Sequence, residues 1–122
     1  MLAFSAALAF ADGPADGIDA YRDSDRLARL ISSGSPAHIL VDVRSPEEYE
    51  AGHIPTAVNI PVKEIGDRPP TDDKGALIIV YCSSGARSAR SKAILDGLGY
   101  TAVVDFGGLF RWSGPVVSED TQ

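Results

Sequence analysis

Five consecutive apolar residues, Leu77-Ile78-Ile79-Val80-Tyr81, lead straight into Cys82 and then into the turn Ser83-Ser84-Gly85. The run lacks the alternation of a strand with one wet face, and it is too short for a buried helix. A strand that is apolar on both sides must be covered on both sides, which is the condition of a parallel sheet sandwiched between helices. The sequence around it supplies the covering elements. Asp23 or Ser24 can cap a helix running to about Ser32, with Leu27, Leu30 and Ile31 as its apolar stripe, ended by Gly34-Ser35-Pro36. Ser45 begins a capping box with Pro46 at the first helical position and Glu48 three residues after the cap. A third helix is expected from about Ala86 to Leu98, burying Ala89, Ala93, Ile94 and Leu98, with Gly99 as its stop. Ile18–Tyr21, Ile39–Val43, Ala57–Ile60 and Ala102–Val104 read as further strands, and Leu109–Trp112 as a short helical turn. Val62 to Gly75, with Pro69-Pro70 and Asp72-Asp73, reads as loop with room for one helical turn. The expectation is therefore an α/β fold: a central parallel sheet of about five strands with helices on both faces.

At 122 residues the chain has the length of one domain with a single core, and the expected domain covers residues 17–122 behind an N-terminal segment, 1–16. The net charge of −6 argues against nucleic acid or an anionic membrane as partner, since both need a basic face. One cysteine excludes an internal disulfide and a CxxC redox pair. With only His38 and His53 beside it, a Cys/His zinc cage cannot be assembled, and no motif asks for an organic cofactor. Leu2 to Ala11 is small and apolar, and Ala9-Phe10-Ala11 fits a leader cleavage site before Asp12. It is too short to span a bilayer, which takes roughly 20 apolar residues. Export is the favoured expectation. A helix or tail lying on the domain is the alternative, since no Lys or Arg precedes the stretch.

The end of the apolar strand is where chemistry is expected. In open α/β sheets ligands sit at the carboxyl ends of the strands, and Cys82 lies there, before Ser83-Ser84-Gly85-Ala86-Arg87-Ser88. A tight loop entering a helix turns backbone N–H groups inward and adds the positive end of the helix, which makes an anion cradle. The same field stabilises a thiolate. Gly85 supplies the backbone freedom to close such a loop, and Arg87 a planar cationic fork suited to an oxyanion. Ser83 and Ser84 would act through their backbone N–H groups and Ser88 as a hydroxyl donor to sulfur. Arg90 and Lys92 read as solvated.

These segments resemble the rhodanese family. Val41-Asp42-Val43-Arg44-Ser45-Pro46-Glu47-Glu48-Tyr49 is similar to its DVR-S-x-E-E-[FY] segment, and Gly52-His53-Ile54-Pro55 with Ala57-Val58-Asn59-Ile60-Pro61 to its GHIPGAxNIP. Cys82-Ser83-Ser84-Gly85-Ala86-Arg87-Ser88 resembles the active loop C-x-x-G-x-R-S, and Gly107-Gly108 followed by Trp112 the closing GG-x-x-x-W. The match runs from Ile18 to Trp112. Thr56 departs from it, standing where the family commonly has Gly, so the turn there must manage with a residue that prefers negative φ.

The resemblance implies a sulfurtransferase with Cys82 as the nucleophile. A small anionic donor such as thiosulfate would yield its outer sulfur to Cys82, and the persulfide would pass to a thiol or cyanide acceptor. Residues 83 to 88 would bind the substrate. Asp42, Arg44 and Glu48 read as a structural polar cluster tying strand end to helix, and His53 as part of the turn. Two other readings stand beside it. A rhodanese-like carrier would deliver sulfur to a protein partner with the same residues. A cysteine phosphatase or arsenate reductase would place the loop arginine one position further along, where this chain has Ser88.

Overall fold

The computed structural model describes residues 17–118. The apolar stretch Leu2–Ala11, and with it the leader expectation, lies outside the described residues. Among the described residues four parallel strands form the sheet: β1 (Ile39–Asp42), β2 (Val58–Asn59), β3 (Ile78–Cys82) and β4 (Val103–Gly108), in the order β2-β1-β3-β4. Every residue of β3 is buried, as its unbroken apolar run requires. Leu40, Ile79, Tyr81, Val104 and Phe106 form one core with Leu27, Leu30 and Ile54. Val41, Val43, Ile78, Val80, Cys82 and Val103 form the other with Ile65, Leu95 and Tyr100.

The fifth strand expected at Ile18–Tyr21 is instead a 3-10 helix, Ile18–Arg22, packed against β4. Its two large apolar residues stand three apart, so a three-residue turn sets Ile18 and Tyr21 on the same side, whereas an extended strand would point them apart. Both join the first core.

Among the described residues three α-helices flank the sheet. Helix α1 (Ser24–Ser33) is capped by the Asp23 carboxylate, which accepts from the Arg26 N–H at 3.0 Å, and stops at Gly34 in the left-handed region. Helix α2 (Pro46–Ala51) has the expected capping box. Helix α3 (Ala86–Gly97) turns a different face to the sheet than its apolar residues foretold. Ser88, Ser91 and Leu95 are buried, Ile94 is half-buried, and Ala89, Ala93 and Leu98 are exposed. The helix starts directly from the Cys82 loop, so the loop sets its phase, and small serines let it lie close to β3 and β4.

A buried polar network fastens the carboxyl end of β1. Asp42, fully buried, accepts from the Arg44 backbone N–H and side chain, and from the Tyr81 hydroxyl at 2.8 Å. The Tyr81 oxygen in turn accepts from the Ile54 N–H, and Arg44 donates onward to the Gly52 carbonyl. His53 is fully buried, its Nδ1 donating to the Tyr49 carbonyl and its ring stacked on Tyr49 at 3.7 Å. It is turn architecture, as its setting in Gly-His-Ile-Pro indicated. Thr56 stands at φ 74, so the turn keeps a glycine-like conformation despite a β-branched residue.

Candidate functional site

The site is the junction of β3 and α3. Gly85, with φ 110, is the N-cap of α3, and this left-handed conformation folds the loop back over the sulfur. Cys82 Sγ accepts from the Gly85 N–H at 3.0 Å and from the Ser88 N–H at 3.3 Å. The thiol lies 3.5 Å from Ser88 Oγ, to which it donates, while the Ser88 hydroxyl donates to the Gly85 carbonyl at 3.1 Å. Burial of Cys82 opposes its charged form. The Ser88 hydroxyl and the Ser88, Gly85 and Arg87 amides favour that form, and together they hold the thiol below its ordinary value. Once ionised, the sulfur can only accept, and the Ser88 hydroxyl can turn to donate to it.

Arg87 does not stand free. Its guanidinium forks onto Glu48, Nη1 to Oε1 at 2.7 Å and Nη2 to Oε2 at 3.0 Å. The Glu48 carboxylate also accepts from the Ser45 N–H at 3.0 Å, closing the capping box, and from the Ser83 hydroxyl at 3.2 Å. The Arg87 fork, then the Ser45 amide, hold Glu48 well below the usual carboxylate range. One carboxylate thus ties the start of α2 to both flanks of the Cys82 loop. Glu48 therefore faces the loop, whereas Asp42 and Arg44 pair with each other beneath it. The capping box alone does not account for Glu48: a carboxylate has about four acceptor sites and the box fills one.

The remaining site residues sort by exposure. Ser84 and Ala86 are exposed at the rim; Arg90 is exposed, and Lys92 pairs with Asp96 one turn on. A cleft of ≈ 380 Å³ opens beside Arg87, with Val43, Pro46, Pro61 and Lys63 among its walls. Two glycines complete the site from β4. A bulge at Phe106 in β4, opposite the Val80–Tyr81 step, sets Gly107 against Tyr81 and Gly108 against Cys82. A Cβ on Gly108 would stand 2.5 Å from the Ser83 carbonyl oxygen, so only glycine lets β4 pass this close to the loop. Among the described residues no three His, Cys, Asp or Glu side chains converge as a metal site, and no helix is long and apolar enough to cross a membrane.

This geometry has known relatives. A model of the rhodanese-like domain matches residues 23–114. The chain belongs to the rhodanese-like domain family. Within that family, it is 45% identical over 71 residues to thiosulfate sulfurtransferase PspE of Escherichia coli, covering 57% of this chain and 68% of that protein. It is 31% identical over 99 residues to thiosulfate:glutathione sulfurtransferase of Saccharomyces cerevisiae, covering 69% of each. Among solved rhodanese structures, one described as rhodanese with anions from E. coli superposes with a TM-score of 0.64 at 40% identity, over 67% of this chain and 99% of that one.

Proposed function

We propose that the chain is a thiosulfate sulfurtransferase that carries sulfur on Cys82. The observation that carries this reading is the sulfur's setting: it closes the apolar strand, faces two amides at 3.0 and 3.3 Å, and is held below the ordinary thiol value. The Cys82 thiolate attacks the outer sulfur of thiosulfate. A sulfur–sulfur bond forms to Cys82, the bond to the sulfonate sulfur breaks, and sulfite leaves with the electron pair. Three negative charges stand on each side of this step, so no proton need move. The resulting terminal sulfur is an anion, and the Gly85, Arg87 and Ser88 amides that already favour a charged Cys82 are the nearest donors to it. An acceptor thiol then takes that sulfur and returns Cys82 to the thiolate, a ping-pong sequence.

Arg87 serves this reaction at the edge of the cradle. Its charge is shared with Glu48, so the amides supply the field at the sulfur, and the guanidinium holds the loop and borders a cleft that also has Lys63 on its wall. Intact mass after incubation with thiosulfate tests the assignment. One added sulfur, about 32 Da, removable by a reducing thiol, is expected from the covalent step. Cys82→Ser should show no adduct; an adduct persisting in that variant would remove Cys82 from the mechanism.

A further inference from the structure

The two halves of this reaction take substrates of unlike chemistry, and one side chain at the mouth of the loop suits only one of them. Phe110 is 76% exposed, more than any other large apolar side chain among the described residues. Its position follows from the sheet. Cys82 pairs with Gly108, and Phe110 comes two residues later in the 3-10 turn Leu109–Arg111, closed by the Trp112 N–H donating to the Leu109 carbonyl at 2.9 Å. The ring is seated against Gly108: its Cε2 and Cδ2 stand 2.4 and 2.6 Å from the point a Gly108 Cβ would occupy, and the Ser83 carbonyl oxygen stands 2.5 Å from the same point. Ring and loop are therefore neighbours across that glycine. Neighbouring strands are about 4.8 Å apart, so the backbone beneath the ring is one strand away from Cys82.

A single exposed aromatic is ordinary on a protein surface. One held by a glycine against the nucleophile's own loop is placed where a substrate too large to enter the loop whole can touch it. Thiosulfate is a small dianion and gains nothing from an apolar face. An organic thiol carries a carbon skeleton that must lie on the rim while its sulfur reaches the persulfide.

We propose that Phe110 is the surface on which the carbon skeleton of the organic thiol acceptor rests, which makes it a specificity residue of the second half-reaction. The proposal rests on the sulfurtransferase reading above. In this step the acceptor thiol RSH passes its proton to the terminal sulfur of Cys82–S–S⁻, and the resulting thiolate RS⁻ attacks that sulfur. A new sulfur–sulfur bond gives RS–SH, the bond to Cys82 Sγ breaks, and its electron pair remains on Cys82 as the thiolate. The proton stays on the transferred sulfur, and no outside oxidant or reductant takes part.

The test separates the halves. Wild type and Phe110→Ala are loaded with thiosulfate while sulfite release is followed, and the persulfide is confirmed by mass. The loaded proteins are then discharged either with glutathione or with cyanide, a diatomic anion with no skeleton to rest on the ring. Loading and discharge to cyanide should stay within about twofold of wild type. Losing an aromatic contact of this size should raise the KM for glutathione about tenfold. Phe110→Trp should restore it. Equal effects on both acceptors, no effect on either, or slowed loading by thiosulfate would each overturn the proposal. A wild-type protein that takes up no sulfur would instead refute the sulfurtransferase reading.

Discussion

Replacing Gly108 by alanine tests whether β4 and the Cys82 loop are packed as tightly as the structure shows. The added Cβ would fall 2.4 Å from Phe110 Cε2 and 2.5 Å from the Ser83 carbonyl oxygen, where ordinary contact begins at 3.4 Å. The phenyl ring is exposed and can swing aside. The Ser83 carbonyl is backbone, and it must retreat by roughly 1 Å to escape repulsion. Overpacking of this kind costs about 1–3 kcal/mol. For a domain of this size that is a fall in Tm of about 4–12 °C. Ser83 adjoins Cys82, so the retreat carries the loop amides with it, and a misplacement near 1 Å can slow a reaction about a hundredfold. Thermal melting and the rate of sulfite release from thiosulfate measure the two effects. Gly97→Ala is the control: nothing lies within 4 Å of its Cβ, and a helical alanine should stabilise by about 0.5–1 kcal/mol. Gly108→Ala combined with Phe110→Ala removes the ring clash but keeps the one with Ser83, so it should stay slow. A Gly108→Ala protein that melts within 0.5 °C of wild type and loads sulfur at the full rate would refute the packing argument.

Further outcomes are expected at Cys82, Glu48, Tyr81 and Thr56. The alkylation rate of Cys82 against pH should have its midpoint below the free-thiol value of about 8.5, and Ser88→Ala should move that midpoint upward by removing a donor to the thiolate. Glu48→Gln should loosen the loop; the Glu48 and Arg87 side chains are 36% and 37% exposed, so a double-mutant cycle should give a coupling of no more than about 1 kcal/mol. Because Glu48 is held below its unfolded value, its contribution is present above the ordinary carboxylate range and is lost as acid carries the pH down through the folded value, which a denaturation series between neutral and acid pH would show. Tyr81→Phe removes the hydroxyl that bridges Asp42 and the Ile54 N–H, leaving a buried donor unmet at a cost of about 1–3 kcal/mol, readable as a lower denaturant midpoint at unchanged slope. Thr56→Gly should relieve the left-handed backbone, worth about 1–2 kcal/mol, offset in part by glycine's greater freedom in the unfolded chain, so that melting rises or holds.

What the sequence determined by itself was whatever depends on a few neighbouring residues. The apolar run Leu77–Tyr81 required a strand buried on both faces, and that required helices above and below it. Asp23, Ser45 with Glu48, and Gly34 marked helix ends because a cap is a bond between residues three or four apart. Cys82 followed by Gly85 and a helix foretold a cradle for the same reason: its amides come from the next six residues. Tertiary structure alone decided the rest. Glu48 and Arg87 are 39 residues apart, and Tyr81 and Asp42 likewise; these pairs form because β1 and β3 lie side by side in one register, which no local pattern states. The phase of α3 is not legible in its apolar residues, which mark the wrong face; the loop that starts the helix turns Ser88, Ser91 and Leu95 inward instead. The segment at Ile18 became a 3-10 turn because two apolar side chains three residues apart reach the core together only when coiled. Gly108 belongs to the site because a bulge in β4 sets it opposite Cys82, and the space left there is smaller than a methyl group.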